Sequence, residues 1–445
     1  MLKNKINSDI TAIAHYGSEY RRVEKTLVGH QQENLKKMRL TALEEFSKHG
    51  FPSKKQEDWK YTSLTSLRQT PFSLSLTPAP LNPAAQTMLD QLSVKFRLVF
   101  INGFFAKHLS TLAVLPKDVK ITHFIDMVDH HPEQLNTTWQ ANDTLEKNSF
   151  THLNTVFMQD GAYIYLPAHA HLSAPIEILF INTDETPQRF IPLRNIIIAE
   201  ENSRAVIIEK YIDMTKENNT PYFTNTVTEC RLAAGSHIEH YKYVTESKQA
   251  IHVGNLCVSQ QQASQFSAYS LALSGHLIRN DVYVKLEQPH AQCRLKGLYY
   301  ALGQQQVDHH TVIDHRSPHT HSEEFYKGII DEQARAVFNG KVIVREHAIK
   351  SKAQQLNKNL LLSPHAEINT KPQLEIFTDD IQCTHGASIG QLDKDALFYL
   401  RARGLTATQA TELLIKAFIQ DILEQMPLFN DVSLPNFLKN RLVHA

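Results

Sequence analysis

Apolar positions along this chain follow two rhythms. Near the start, Leu35, Met38, Ala42 and Phe46 recur every three or four residues, which lays them along one stripe of an α-helix. Gly50 and Pro52 supply its stop signals. Ser73 to Ala84 reads as a connector rich in Ser, Thr and Pro, and Pro83 to Leu92 as a short helix or loop. From about Val94 to Leu400 the period shortens to two. Short β-branched and aromatic runs follow one another: KFRLVF before Asn102-Gly103, then AYIYLP, IEILFI, RNIIIAE, RAVIIEKY, NDVYVKL, KVIVRE and QLEIF. Val282, Val284 and Leu286 alternate with Tyr283 and Lys285, so such a strand turns one face to a core. Asn102-Gly103 predicts a tight hairpin. Past Gly404 the helical rhythm returns. Thr406 and Gln409 fit a Thr-x-x-Gln capping box, and Ala410, Leu413, Leu414, Ala417, Phe418 and Ile422 form a broad stripe ending near Pro427. Leu434 to Leu442 is expected to pack back against that helix.

These rhythms divide the chain into a helical N-terminal part with its linker (1–93), a strand-rich core (94–400) and a helical C-terminal part (401–445). Few helical patterns interrupt the core, which argues against a βαβ architecture. Lys296-Gly297-Leu298 leads to Thr311-Val312-Ile313, and Lys327-Gly328-Ile329 to Lys341-Val342-Ile343, as if one unit were repeated. Stacked strand–turn–strand units would make a β-helix. A Greek-key sandwich would show similar strands, and pattern alone leaves both open.

Charge and composition narrow the function. Lys+Arg 46 balances Asp+Glu 46, so no field of either sign favours nucleic acid or an anionic membrane. The opening MLKNKINSDI is polar, and apolar runs such as Ile178 to Ile181 are too short to span a bilayer. Cys230, Cys257, Cys293 and Cys383 include no CxxC pair, which predicts a soluble, cytoplasmic protein in a reducing compartment. There is no GxxxxGK[ST] phosphate loop, no G-x-S-x-G elbow and no H-E-x-x-H helix, and no clustered thiols to hold an iron–sulfur cluster unaided. The expectation is a chain that is not itself an enzyme.

Two stretches carry candidate chemistry. In Asp379-Asp380-Ile381-Gln382-Cys383-Thr384-His385-Gly386, an extended backbone puts Cys383 and His385 on one face. A thiolate and an imidazole there suit iron or another borderline metal, or a Cys–His nucleophile pair. The plain alternative is a small buried thiol beside a hydrogen-bonded core histidine. Two ligands on one strand do not complete a metal site. The second stretch, His309, His310, His315, His319 and His321 with Asp308, Asp314, Glu323 and Glu324, fits no closed zinc spacing, and Pro318 interrupts its alternation. It reads as a polar strand face or turn. A cupin-like metalloenzyme is the hypothesis it would support. A carbohydrate-active β-helix enzyme would need a paired-carboxylate cleft that is not evident.

Gly50-Phe51-Pro52 with Glu57-Asp58-Trp59-Lys60-Tyr61-Thr62, then Leu153-Asn154-Thr155, Phe157 and Asp160-Gly161, resemble the SufB/SufD family of iron–sulfur cluster assembly proteins. So does the longer block from Gln355-Leu356-Asn357-Lys358-Asn359 through Lys371-Pro372, Asp379-Asp380, Cys383, His385-Gly386-Ala387, Gly390 and Asp393 to Arg403-Gly404. The lack of SufB's extra cysteines favours the SufD branch, with a SufB-like scaffold as the alternative. The resemblance implies a right-handed parallel β-helix flanked by N- and C-terminal helical domains. It implies a scaffold that pairs with a SufB-like paralogue and binds a SufC-like ABC ATPase, with sulfur arriving indirectly from a cysteine desulfurase. Cys383 and His385 would then face the paralogue and meet transient iron or a nascent cluster, with none stably bound by the chain alone. Thr406, Leu413 and Phe418 would lie in the ATPase-binding part.

Overall fold

The computed structural model describes residues 2–78, 86–87, 94–131, 133, 148–183, 186–215 and 217–429. The C-terminal segment expected at 434–442, and most of the element expected at 83–92, lie outside them. Every apolar run named above falls on a strand. Among the described residues there are two sheets, one of ten strands and one of eleven; from Ala162 on successive strands alternate between them, so each sheet neighbour lies two strands further along the chain. In one sheet Tyr222–Leu232 is followed by Ile251–Gln260, Leu277–Leu286, Gln306–His315, Arg335–Val344 and Glu367–Ile376, all parallel. In the other, Arg204–Asp213 leads through His237–Thr245, Gln265–Ser274, Gln292–Ala301, His321–Ile330 and Ser351–Leu361 to Ile381–Gln391, again parallel. Parallel ladders along these coils are a β-helix and exclude the antiparallel sandwich.

One corner of each coil is built alike. His169, Asn202, Gly235, Ala263, His290, His319 and Lys350 all have positive φ. The N–H of each from His169 to His319 bonds to the carbonyl one residue before the corresponding turn residue of the next coil, and that of Lys350 bonds to Asp380. The two Lys-Gly units are on neighbouring strands but two residues out of step: Lys296 pairs with Phe325, and Lys327 with Leu298. A Cβ on Gly297 would stand 2.2 Å from the Tyr326 ring, and one on Gly328 2.2 Å from the Tyr299 ring. Each glycine therefore makes room for the tyrosine of the adjacent coil. Reciprocal packing, and not a repeat in register, explains the similarity.

Helices cover the outer faces of both sheets. Tyr16, Phe46, Trp59 and Phe157 pack on Phe190, Phe223 and Ile251 of the first sheet. The motif around Trp59 is clamped there: the Arg279 guanidinium lies 3.6 Å from the Trp59 ring centroid and donates to the Asp58 carbonyl at 2.8 Å. Arg279 also pairs with Asp281 and Asp308, and the Thr62 hydroxyl donates to Asp308. Burial alone would raise the Asp308 carboxyl, but Arg279 and His310 hold it well below the usual range.

The second sheet is covered by the helix Ala407–Leu423, whose Thr406–Gln409 capping box is formed as expected. Its buried face is Ala410, Ile415, Ile419 and Ile422, whereas Leu413 is 47% exposed. The apolar stripe spans more of the helix than one contact uses, and packing on Leu271, Leu298 and Ile329 selects the face.

The two ends of the β-helix differ. At the start, Phe96–Ile101 extends the second sheet and turns at Asn102 (φ 51) and Gly103 (φ 89) into the antiparallel strand Phe104–Phe105, the hairpin that Asn-Gly predicts. At the other end, Glu367–Ile376 and Ile381–Gln391 are the last strands of their sheets. The helix Lys394–Ala402 follows, and Gly404 (φ 96) separates it from the next helix, so Leu397 to Leu400 is helical.

Candidate functional site at the open end

Parallel pairing carries side-chain direction from one coil to the next. Cys383 is in register with Ala353 and His385 with Gln355, and Ala353 and Gln355 are buried inside the β-helix. Cys383 and His385 therefore share the inward face of the last coil, as the alternation predicts. Cys383 packs with Val342, Ala353 and Leu374. Burial pushes its thiol up, partly offset by the backbone of Ala353. His385 is exposed, because no further coil among the described residues covers it.

The coils behind this pair are polar at positions where an apolar core is the rule. Glu324 is in register with Gln355, and the Gln355 amide donates to Glu324 Oε2 at 2.6 Å. Burial pushes the Glu324 carboxyl up to about 7. Deeper in, His240 lies 3.0 Å from Glu209, and His252 bonds to Glu246 at 2.8 Å. Lys242 donates to Asn280 at 2.8 Å, and burial brings its ammonium down to about 8 despite Glu209 and Glu246. The sequence reading missed this polar lumen. Glu209 between Ile207 and Tyr211, on the parity of core residues, was the available signal.

The histidine run is dispersed. His309 points inward between Tyr299 and Tyr326, each 5.2 Å away, and burial lowers its imidazole to about 3. His310 points outward, 2.9 Å from Asp308. His315 bonds to Thr320 and Ser322 at 2.8 Å, while His319 occupies a turn and stacks on His290. Among the described residues no group of three or more His, Cys, Asp or Glu converges to hold a metal ion. Cys230, Cys257 and Cys293 are buried, with thiols pushed up by that burial, which makes them inert.

Comparison with known proteins agrees with this architecture. Residues 180–418 match the model of the SUF system FeS cluster assembly SufBD core domain, and residues 10–178 that of the SufBD protein N-terminal region. An iron–sulfur cluster assembly SufBD family protein of Synechocystis sp. is 35% identical over 85% of this chain and 84% of its own length. The iron–sulfur cluster assembly protein SufD of Escherichia coli is 28% identical over 86% of this chain and 87% of its own. A chloroplastic protein of Arabidopsis thaliana, ABCI7, is 27% identical over 88% and 83% respectively. With both family models matching in tandem along a parallel β-helix, the chain belongs to the SufB/SufD family of SUF iron–sulfur cluster assembly proteins.

Proposed function

We propose that this chain is a SufD-like, non-catalytic scaffold of cytoplasmic cluster assembly. It pairs with a SufB-like paralogue through the open end of its β-helix, and His385 with Cys383 contributes there to iron acquisition or nascent cluster formation. The observation that carries this reading is the open end itself. Among the described residues two unpaired strand edges stand beside exposed Ile376, Phe377 and Ile389, and the same coil presents a thiol and an imidazole. Iron here is cargo, and the partner would supply the remaining ligands.

A SufC-like ATPase is the proposed partner of the C-terminal helices, where Phe398, Tyr399 and Leu413 are exposed. Thr406 caps the helix and Phe418 lies against the Lys327 ammonium, so both support that surface from within the chain. Co-expression with SufB-like and SufC-like subunits tests the reading. The His385→Ala complex should keep its stoichiometry and lose at least half of its reconstituted iron and sulfide; unchanged content in an intact complex rejects the role. Truncation after Gly404 should abolish ATPase binding and spare the paralogue contact.

A further inference from the structure

The open end contains a contact that the proposed role of His385 does not use. Glu324, Gln355 and His385 stand on three successive coils in one register column. The Gln355 amide nitrogen is held by Glu324 Oε2 at 2.6 Å, which leaves the amide oxygen turned away from that carboxyl. That oxygen is buried and has no hydrogen-bond partner, and Gln355 as a whole is only 3% exposed. A buried acceptor left unpaired costs stability, so a partner on the next coil is favoured. The next coil lies about 4.8 Å further on, and the residue in register there is His385. Its ring makes no hydrogen bond among the described residues.

The surroundings leave room for this column. Gly340 faces it from the other sheet, and a Cβ there would stand 2.2 Å from Gln355 Nε2 and 2.9 Å from Glu324 Oε2. A side chain at 340 would push the amide out of line. The gap and the hydrogen bond to Glu324 therefore fix the same orientation of Gln355.

We propose that Gln355 is a positioning residue for His385: its Oε1 accepts the imidazole N–H, which fixes the tautomer and turns the other ring nitrogen toward the open end. The proposal rests on the reading of His385 as an iron contact. It adds the group that orients the ring, as residues behind a metal-binding histidine commonly do. Glu324 acts one step back, by fixing which end of the Gln355 amide meets the ring.

The test uses the full chain without metal, labelled with ¹⁵N-histidine, with the His385 signals assigned by their loss in His385→Ala. One neutral tautomer should dominate in the unaltered chain. In Gln355→Met, nearly isosteric but without the acceptor, the two tautomers should approach the mixture of a free imidazole. Gly340→Ala should shift the ratio the same way while keeping Gln355, so the proposal stays testable if Gln355→Met misfolds. In the assembled complex both variants should weaken Fe(II) binding about tenfold or more with unchanged stoichiometry. An identical His385 tautomer ratio with and without the Gln355 amide overturns the proposal. Because that ratio is read without iron, it is decided separately from the iron role. If His385→Ala leaves Fe(II) binding untouched, the iron role falls while the tautomer measurement still judges Gln355.

Discussion

The two ends of the β-helix carry the same kind of strand and are finished in opposite ways. At the first end, Phe96–Ile101 is buried at every position and its edge is taken up by short antiparallel strands, while Lys120–His123 pairs antiparallel with Ala162–Leu166. At the last end, every residue of Ile381–Gln391 is half-buried or exposed, and among the described residues no strand pairs beyond it. An unpaired strand edge is a template for association, and chains that do not use one cover it. This chain covers one end with its own hairpin, and among the described residues the other end stays uncovered. The candidate chemistry lies at the uncovered end.

Arg279 should give the largest effect, because it tests the closed body against which the open end is contrasted. Its guanidinium ties the Trp59 segment to Asp281 and to the fully buried Asp308. Arg279→Ala leaves the Asp308 charge without its main partner, and removing one member of a buried pair costs about 3–5 kcal/mol. Urea unfolding of the isolated chain checks this. A loss below about 1 kcal/mol would mean that water reaches Asp308 and that the body is less closed than it looks.

Glu324 gives the next effect, inside the lumen. Its carboxyl is raised in the folded chain to about 7, above the ordinary value of 4.5, so folding favours the protonated form. That contribution is complete below pH 4.5 and is lost as pH rises through 7, a fall of about 3 kcal/mol. Glu324→Gln keeps a neutral polar group and should flatten the fall. Between pH 5 and pH 8 the variant should gain about 3 kcal/mol on the unaltered chain in urea unfolding. Parallel curves would mean that the carboxyl is ionised throughout.

These interior residues also mark what the sequence did and did not reveal. The strands were legible because Val282, Val284 and Leu286 keep a strict period of two. The hairpin was legible because Asn102-Gly103 is a local turn. Parallel pairing was not, since Ile251 meets Leu277, 26 residues on, and Arg335 meets Glu367, 32 on. The intervening corners use His169, Ala263 and His290, residues without a turn signature. The shared face of Cys383 and His385 followed from parity alone. Their place on the last coil depends on where coils stop being added, which no local pattern encodes. Glu324 and Lys242 were invisible as a group because polar residues at core parity are legible only once the coils are stacked.

A smaller effect should separate the two ends directly. Ile389 is 51% exposed and Phe377 57% exposed at the open end, whereas Leu112 is 43% exposed beside the covered one. Ile389→Arg or Phe377→Arg should cost association with the SufB-like partner about 2 kcal/mol, roughly a thirtyfold loss of affinity. Leu112→Arg should leave it unchanged. Equal losses from both ends would remove the contrast.

The smallest expected effect is the one that gives the contrast its meaning. His385 is exposed on the last coil, so even with its bond to Gln355 lost, His385→Ala should change the stability of the isolated chain by no more than about 1 kcal/mol. His315 provides the control within the same fold. It is fully buried and bonded through both ring nitrogens to Thr320 and Ser322, so His315→Ala leaves two hydroxyls and a cavity behind. A loss of about 2–4 kcal/mol is expected there. Thermal and urea unfolding of the two variants decide the matter together. If His385→Ala is as damaging as His315→Ala, His385 is a structural histidine, and the loss of iron from its complex would report misfolding. If only His315→Ala unfolds the chain while only His385→Ala empties an intact complex, the imidazole at the open end is kept for chemistry.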